Sequence, residues 1–191
     1  MINEDRVATG QGFGTHGHRD MKISGYVLEG ELAHRDSMGH ASTIRPGDVQ
    51  RMNAGTGVRH SEFNGSAKEL VHFLQIWIQP NQLSLEPGYE KKTFADVEKR
   101  GRLRLIASPV RANGSVLIHQ DTCVYAGPFA SSESAMLELR AGRRAYVTVA
   151  RGAINVNGTA LRSGDGLKLT DAGMLTLSSA QAAEVLVFDL P

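Results

Sequence analysis

Twice along this chain a run of β-type residues is followed by a Gly-Asp turn and then by a closing apolar strand. That repeat constrains the fold more than any other feature, because two copies of one small β-unit call for two similar β-domains. The first copy reads YVLEGEL (26–32), RPGD (45–48) and LVHFLQIWI (70–78); the second reads YVTVARGAI (146–154), RSGD (162–165) and EVLVFDL (184–190). Glycine is frequent and well spread, 21 of 191 residues, while helical periodicity is scarce, so the apolar runs between turn signals predict an antiparallel all-β sandwich or barrel. Between the copies, residues 81–104 are polar and charged with a proline at Pro87, the texture of a connection with a short helix around Phe94–Lys99. The expected organisation is an N-terminal domain over 1–80, a linker over 81–112 and a C-terminal domain over 113–191.

Bulk properties exclude several function classes. Lys+Arg total 21 against 20 Asp+Glu, a formal charge of +1, and no Lys/Arg run exceeds three, so direct nucleic-acid binding is not expected. The N-terminal MINEDRVATGQG lacks a basic segment followed by an apolar one, and no stretch reaches the roughly 20 apolar residues of a membrane span. The single cysteine, Cys123, cannot form an intramolecular disulfide and reads as a small buried apolar residue. A soluble cytoplasmic protein is the expectation.

Chemistry concentrates in the first copy. Side chains two apart on a strand share a face, so His16 and His18 in GTHGHRD point the same way, as do His60 and Glu62 in RHSEFN. Two adjacent inward-facing strands would bring three imidazoles and one carboxylate toward one centre, a ligand set suited to a divalent transition metal and unlike the cysteine sites of structural zinc. Four protein ligands on an ion that accepts five or six leave positions open, which is the condition for a catalytic metal. Either pair alone is a weak signal; together, each after a glycine-rich turn and both in one repeat, they are a strong one. The second copy has neither pair. The remaining histidines carry a plainer expectation: His34 and His40 flank a polar turn, His72 lies in an apolar strand, and His119 has no partner two residues away.

These residues resemble the cupin superfamily, and within it the pirin family with its bacterial quercetin 2,3-dioxygenase members. Gly10, five residues, His16-Gly17-His18 and a closing Gly30 look like the first cupin motif; Gly47-Asp48, Gly55-Thr56-Gly57, His60 and Asn64 look like the second. THGHRDM, YVLEGELAHRDS, GDVQRMNAGTGVRHSE and LQIWIQP are similar to pirins in particular, and the resemblance runs from about Gly10 to the terminal FDLP. It implies a bicupin: two antiparallel β-barrels of the jelly-roll, double-stranded β-helix type, the first holding one metal ion through His16, His18, His60 and Glu62. Fe(II) leads the candidates, with Ni, Cu, Mn, Co or Zn as alternatives. The chain departs from the family pattern in two ways. Lys22 stands where many cupins carry a glutamate, which adds positive charge near the site, and only fifteen residues precede His16, so the first barrel is expected to be incomplete. The implied activity is cleavage of a flavonol-like aromatic substrate by O₂ with release of carbon monoxide, Glu62 serving as ligand and as base. Ser61 and Asn64 are candidates to support the ligating imidazoles. The alternative is a metal- or redox-sensing regulator acting through a protein partner, and a purely structural metal is a third reading.

Overall fold

The computed structural model describes residues 1–171 and 173–191. They form two compact units, one of residues 1–94 with 116–120 and one of residues 95–115 with 121–191.

The first unit contains β1 (Ile2–Val7), β2 (Gly12–His18), β3 (Lys22–Glu29), β4 (Leu32–Asp36), β5 (Ala41–Ile44), β6 (Asp48–Asn53), β7 (Val58–Asn64), β8 (Val71–Ile78) and β9 (Gly88–Thr93). They build a five-stranded sheet in the order β1-β8-β3-β6-β9 and a four-stranded sheet in the order β2-β7-β4-β5, with antiparallel pairing throughout. The chain changes sheet after β1, β2, β3, β5, β6 and β7, the jelly-roll habit of two facing sheets. The all-β, antiparallel arrangement is as the sequence predicts, and the sheets are open rather than closed into a barrel. Turns, not continuous strands, make the corners, so no ladder of hydrogen bonds carries one sheet into the other.

Between these sheets lie two apolar clusters, one of Val27, Leu32, Ile44, Val71 and Phe73 and the other of Ile23, Met52 and Val58. Phe73 also meets Phe13 of β2 edge-on, ring centroids 6.5 Å apart. Polar groups occupy the space between the clusters, and the candidate site is built there.

The second unit contains α1 (Asp96–Lys99), β10 (Arg104–Ser108), β12 (Cys123–Phe129), β13 (Ala135–Glu138), β14 (Arg144–Val156), β15 (Thr159–Arg162), β16 (Gly166–Thr170) and β17 (Met174–Leu190); the short β11 (Val116–Leu117) belongs to the first unit. Its strands pair in the order β10-β12-β17-β14-β15, with β13 on β17 and β16 on β14. The long β14 and β17 shift register three times along their shared ladder, and these bulges let one pair of strands serve a curved sheet. The core is apolar, with Phe129, Val147, Ile154, Leu175, Leu177 and Val185 at its centre.

The repeat seen in the sequence is repeated in hydrogen bonds. In the first Gly-Asp turn the Asp48 N–H donates to the Arg45 carbonyl at 2.8 Å, and the Arg45 N–H to Asp48 Oδ2 at 3.0 Å. In the second, the Asp165 N–H donates to the Arg162 carbonyl at 2.9 Å, and the Arg162 N–H to Asp165 Oδ2 at 2.9 Å. Each turn needs φ > 0 at its third residue, supplied by Gly47 (φ 96°) and Gly164 (φ 89°). No helix among the described residues is long and apolar enough to cross a membrane.

Gly30 starts the crossing from β3 to β4 at φ 71°, and a Cβ there would lie 2.4 Å from the Leu70 carbonyl oxygen. Gly30→Ala should therefore cost on the order of 2 kcal/mol through backbone strain and the clash with β8. Urea titration measures this, and an unchanged midpoint would contradict it.

Candidate metal centre

Strand β7 lies between β2 and β4, and the register of those pairings assembles the site. His60 stands directly opposite His16 on β2 and opposite Asp36 on β4; Glu62 stands opposite His34. Side chains opposite one another share a face, so His16, His60, Glu62, His34 and Asp36 all project toward the five-stranded sheet.

Three imidazoles converge. The donor nitrogens of His16, His18 and His60 all lie within 4.8 Å of one another, and the Nε2 atoms of His16 and His60 are 3.1 Å apart. With metal–nitrogen bonds of about 2.1 Å, two ligands on one ion are separated by about 3.0 Å at right angles and about 3.4 Å in a tetrahedron. The observed separation fits a shared cation. The His16 Nδ1–H donates to the Gly14 carbonyl at 2.8 Å, which leaves its Nε2 lone pair directed at the site. His18 packs against the edge of Trp77, ring centroids 5.0 Å apart.

Glu62 is positioned differently from the three histidines. Its carboxylate groups with His60 and His34, again with all donors within 4.8 Å, rather than with His16 and His18. Gln75 Nε2 donates to Glu62 Oε2 at 2.7 Å, and the Trp77 indole N–H donates to Gln75 Oε1 at 2.8 Å, which fixes the orientation of the amide. Glu62 Oε1 faces His34 Nδ1 at 4.0 Å.

The site's electrostatics favour uncharged imidazoles. Burial, reinforced by the neighbouring His16, His34 and His18, lowers the His60 pKa to about 3. Burial and His16 likewise lower that of His18, and burial lowers that of His34. Neutral imidazole is the metal-binding form, so these nitrogens need release no proton to bind an ion at neutral pH. Glu62, 1% exposed, is pushed by burial up to about 7, although the Gln75 hydrogen bond acts in the opposite direction.

Sequence reasoning missed His34. Expected beside a polar turn, it sits on β4 and is 1% exposed, and the ring is stacked on Tyr89 with centroids 5.0 Å apart. Its Nε2 faces Asp36 Oδ2 at 3.3 Å, and Asp36 also receives the Met38 and His40 backbone N–H groups. The signal was present, since His34 and Asp36 have the same two-residue spacing as the pairs that were noticed. His40 lies at the surface against Asp36, and the buried His72 bonds Glu4 on the outer side at 2.8 Å. Gln75 was legible only as one polar residue in an apolar strand.

Three expectations need correcting. Lys22 does not charge the site: Ile23 packs inward with Met52 and Val58, so Lys22 turns to the other face, where burial and then Arg51 lower its pKa to about 8. Asn64 does not support an imidazole; its Nδ2 donates to the Val7 and Glu69 carbonyls and its Oδ1 accepts from the Ser66 N–H, pinning the turn after β7. Ser61, opposite Arg35, alternates onto the outer face.

Beside His18 a cleft of about 380 Å³ opens, lined by Arg19, Ser37, Thr56, Val58 and Arg59 among others. Its size suits a small organic ligand.

Comparison with known proteins gives a consistent result. Residues 1–78 match the pirin family model, and residues 105–190 match one described as the quercetinase C-terminal cupin domain. A quercetin 2,3-dioxygenase of Escherichia coli K12 is 40% identical over 191 residues, covering 100% of this chain and 81% of the relative. A putative quercetin 2,3-dioxygenase of Pseudomonas aeruginosa is 40% identical over 189 residues, covering 98% of this chain and 81% of the relative. Among solved structures, YhhW of E. coli aligns with a TM-score of 0.94 at 40% identity, over 100% of this chain and 80% of that one. The bacterial pirin YhhW in complex with nickel(II) aligns with a TM-score of 0.92 at 40% identity, over 100% of this chain and 81% of that one.

A carboxyl whose folded pKa lies above its unfolded value destabilises the fold as pH rises between the two, and by a constant amount above both. For Glu62 that window runs from 4.5 to about 7. In metal-free protein, Glu62→Gln should therefore raise the melting temperature at pH 8 and leave it nearly unchanged at pH 4. Equal effects at both pH values would contradict the burial argument.

Proposed function

The chain belongs to the pirin family, and from that premise we propose that it is a metal-dependent dioxygenase of the quercetinase type, opening the ring of a flavonol-like substrate with O₂ and releasing carbon monoxide. The observation that carries the proposal is the convergence of the His16, His18 and His60 imidazoles, with His18 lining a cleft of about 380 Å³. The names and the nickel complex of the relatives support the same reading.

His16, His18 and His60 would hold one divalent ion, and Glu62 would join them by turning its carboxylate away from Gln75. Nickel and iron both suit imidazole and carboxylate ligands, and the donor set accepts either. When bound, the ion supplies positive charge that lowers the pKa of the substrate's enolic hydroxyl and gives dioxygen an electronic route to the ring.

The protein's residues supply the rest. Glu62, the carboxylate that lies with His60 and His34, would accept the hydroxyl proton. Gln75 holds Oε2 in the metal-free protein and would release it as the carboxylate turns toward the ion. Trp77 forms an apolar wall beside His18. Small-molecule substrate and O₂ are thus the expected partners.

Metal content of the purified protein, followed by quercetin loss and carbon monoxide release in air, tests the proposal. His60→Ala should lose the metal and at least 100-fold in turnover; Glu62→Ala should lose turnover by a similar factor while retaining part of the metal. Wild-type protein fully loaded with nickel or iron yet releasing no carbon monoxide would rule the activity out.

A further inference from the structure

We propose that His34 is a metal ligand in its own right, forming with His60 and Glu62 an inner seat for the same ion that His16, His18 and His60 hold at the cleft. The inference rests on the metal-binding reading above and adds to it a residue and a position.

His34 Nδ1 is fully buried and has no hydrogen-bond partner among the described residues, and the same is true of His60 Nδ1. A buried polar atom left without a partner is costly, and an ion at that point is one way to meet the cost. The tautomer is also set. Asp36 can only accept, so His34 Nε2 carries the hydrogen that meets Oδ2 at 3.3 Å, and Nδ1 is left with its lone pair toward Glu62 and His60. An imidazole that donates one ring N–H to a buried carboxylate and presents the other nitrogen bare is arranged as metal-ligating histidines are.

Size and charge agree. Donors on one ion lie no more than about 4.2 Å apart, twice a bond of about 2.1 Å, so the inner donors, all within 4.8 Å, need to close by only a few tenths of an ångström. Two neutral imidazoles and one carboxylate cancel half the charge of a divalent ion, which suits the dry inner position. His16 and His18 are half-exposed, so at the outer position water can complete the shell until Glu62 turns toward it. Because His60 belongs to both sets, the two seats exclude each other and the stoichiometry remains one.

Cobalt(II) tests this, with content measured after gel filtration and the visible band reporting coordination. Wild type should bind about one equivalent. The His16→Ala/His18→Ala protein should still bind about one equivalent, weakened 10- to 100-fold and with a shifted band. Adding His34→Gln, which keeps the bulk and a donor for Asp36, should abolish that residual binding, with circular dichroism and the thermal midpoint showing both variants folded. A folded double variant that binds no cobalt, or a triple variant that binds as well as the double, would overturn the inner seat while leaving the outer centre standing. A double variant that does not fold is replaced by His16→Gln/His18→Gln, judged by the same two outcomes. Wild type that binds no cobalt would overturn both readings together.

Discussion

His60 faces His16 across one ladder of β7 and Asp36 across the other, while Glu62, two residues on, faces His34. Every reactive group in the first unit takes its position from that register. Because side chains alternate with a period of two, a slip of one residue in β7 would carry His60 and Glu62 to the outer face and bring Arg59, Ser61 and Phe63 inward. Three features secure the register. Val58 belongs to the inward apolar cluster at one end of β7, Asn64 is bonded to two backbone carbonyls at the other, and both neighbouring strands are antiparallel partners.

The arrangement carries an energetic cost. His34, His60 and Glu62 are each about 1% exposed, inside a space that apolar residues would fill more favourably. Apolar clusters on both sides contribute the stability that this polar layer lacks, and Asp36, Gln75 and Trp77 hold the polar groups in place. The same burial prepares the site for a cation by favouring neutral imidazoles at His18, His34 and His60, the last held at about 3. The core of the second unit is built on Phe129, Val147 and Leu175, and its residues include no histidine, so the imidazole cluster is not repeated there.

Period-two patterns were legible without coordinates. His16-x-His18 and His60-x-Glu62 name their own faces once a strand is assumed, and the paired Gly-Asp turns announce the duplicated β-unit. What could not be read was which strands lie side by side. His34-x-Asp36 has the same spacing, but its place in the site depends on β4 pairing with β7, a contact between residues far apart in sequence. Gln75 enters only because β8 lies in the opposite sheet. Lys22 was misplaced for a related reason: its face follows from Ile23 packing inward, which depends on Met52 and Val58. Strand lengths and turns alone do not determine whether sheet edges meet, so the degree of closure had to come from the pairing itself.

The central claim is that the inward face of β7 holds a divalent cation. Anomalous diffraction from crystals loaded with nickel(II), at the nickel edge, tests it most directly. The account predicts one strong peak within about 2.3 Å of a His60 ring nitrogen, with the remaining ligands drawn from His16, His18, His34 and Glu62. An ordered peak away from His60, or no peak in crystals soaked to saturation, would contradict it.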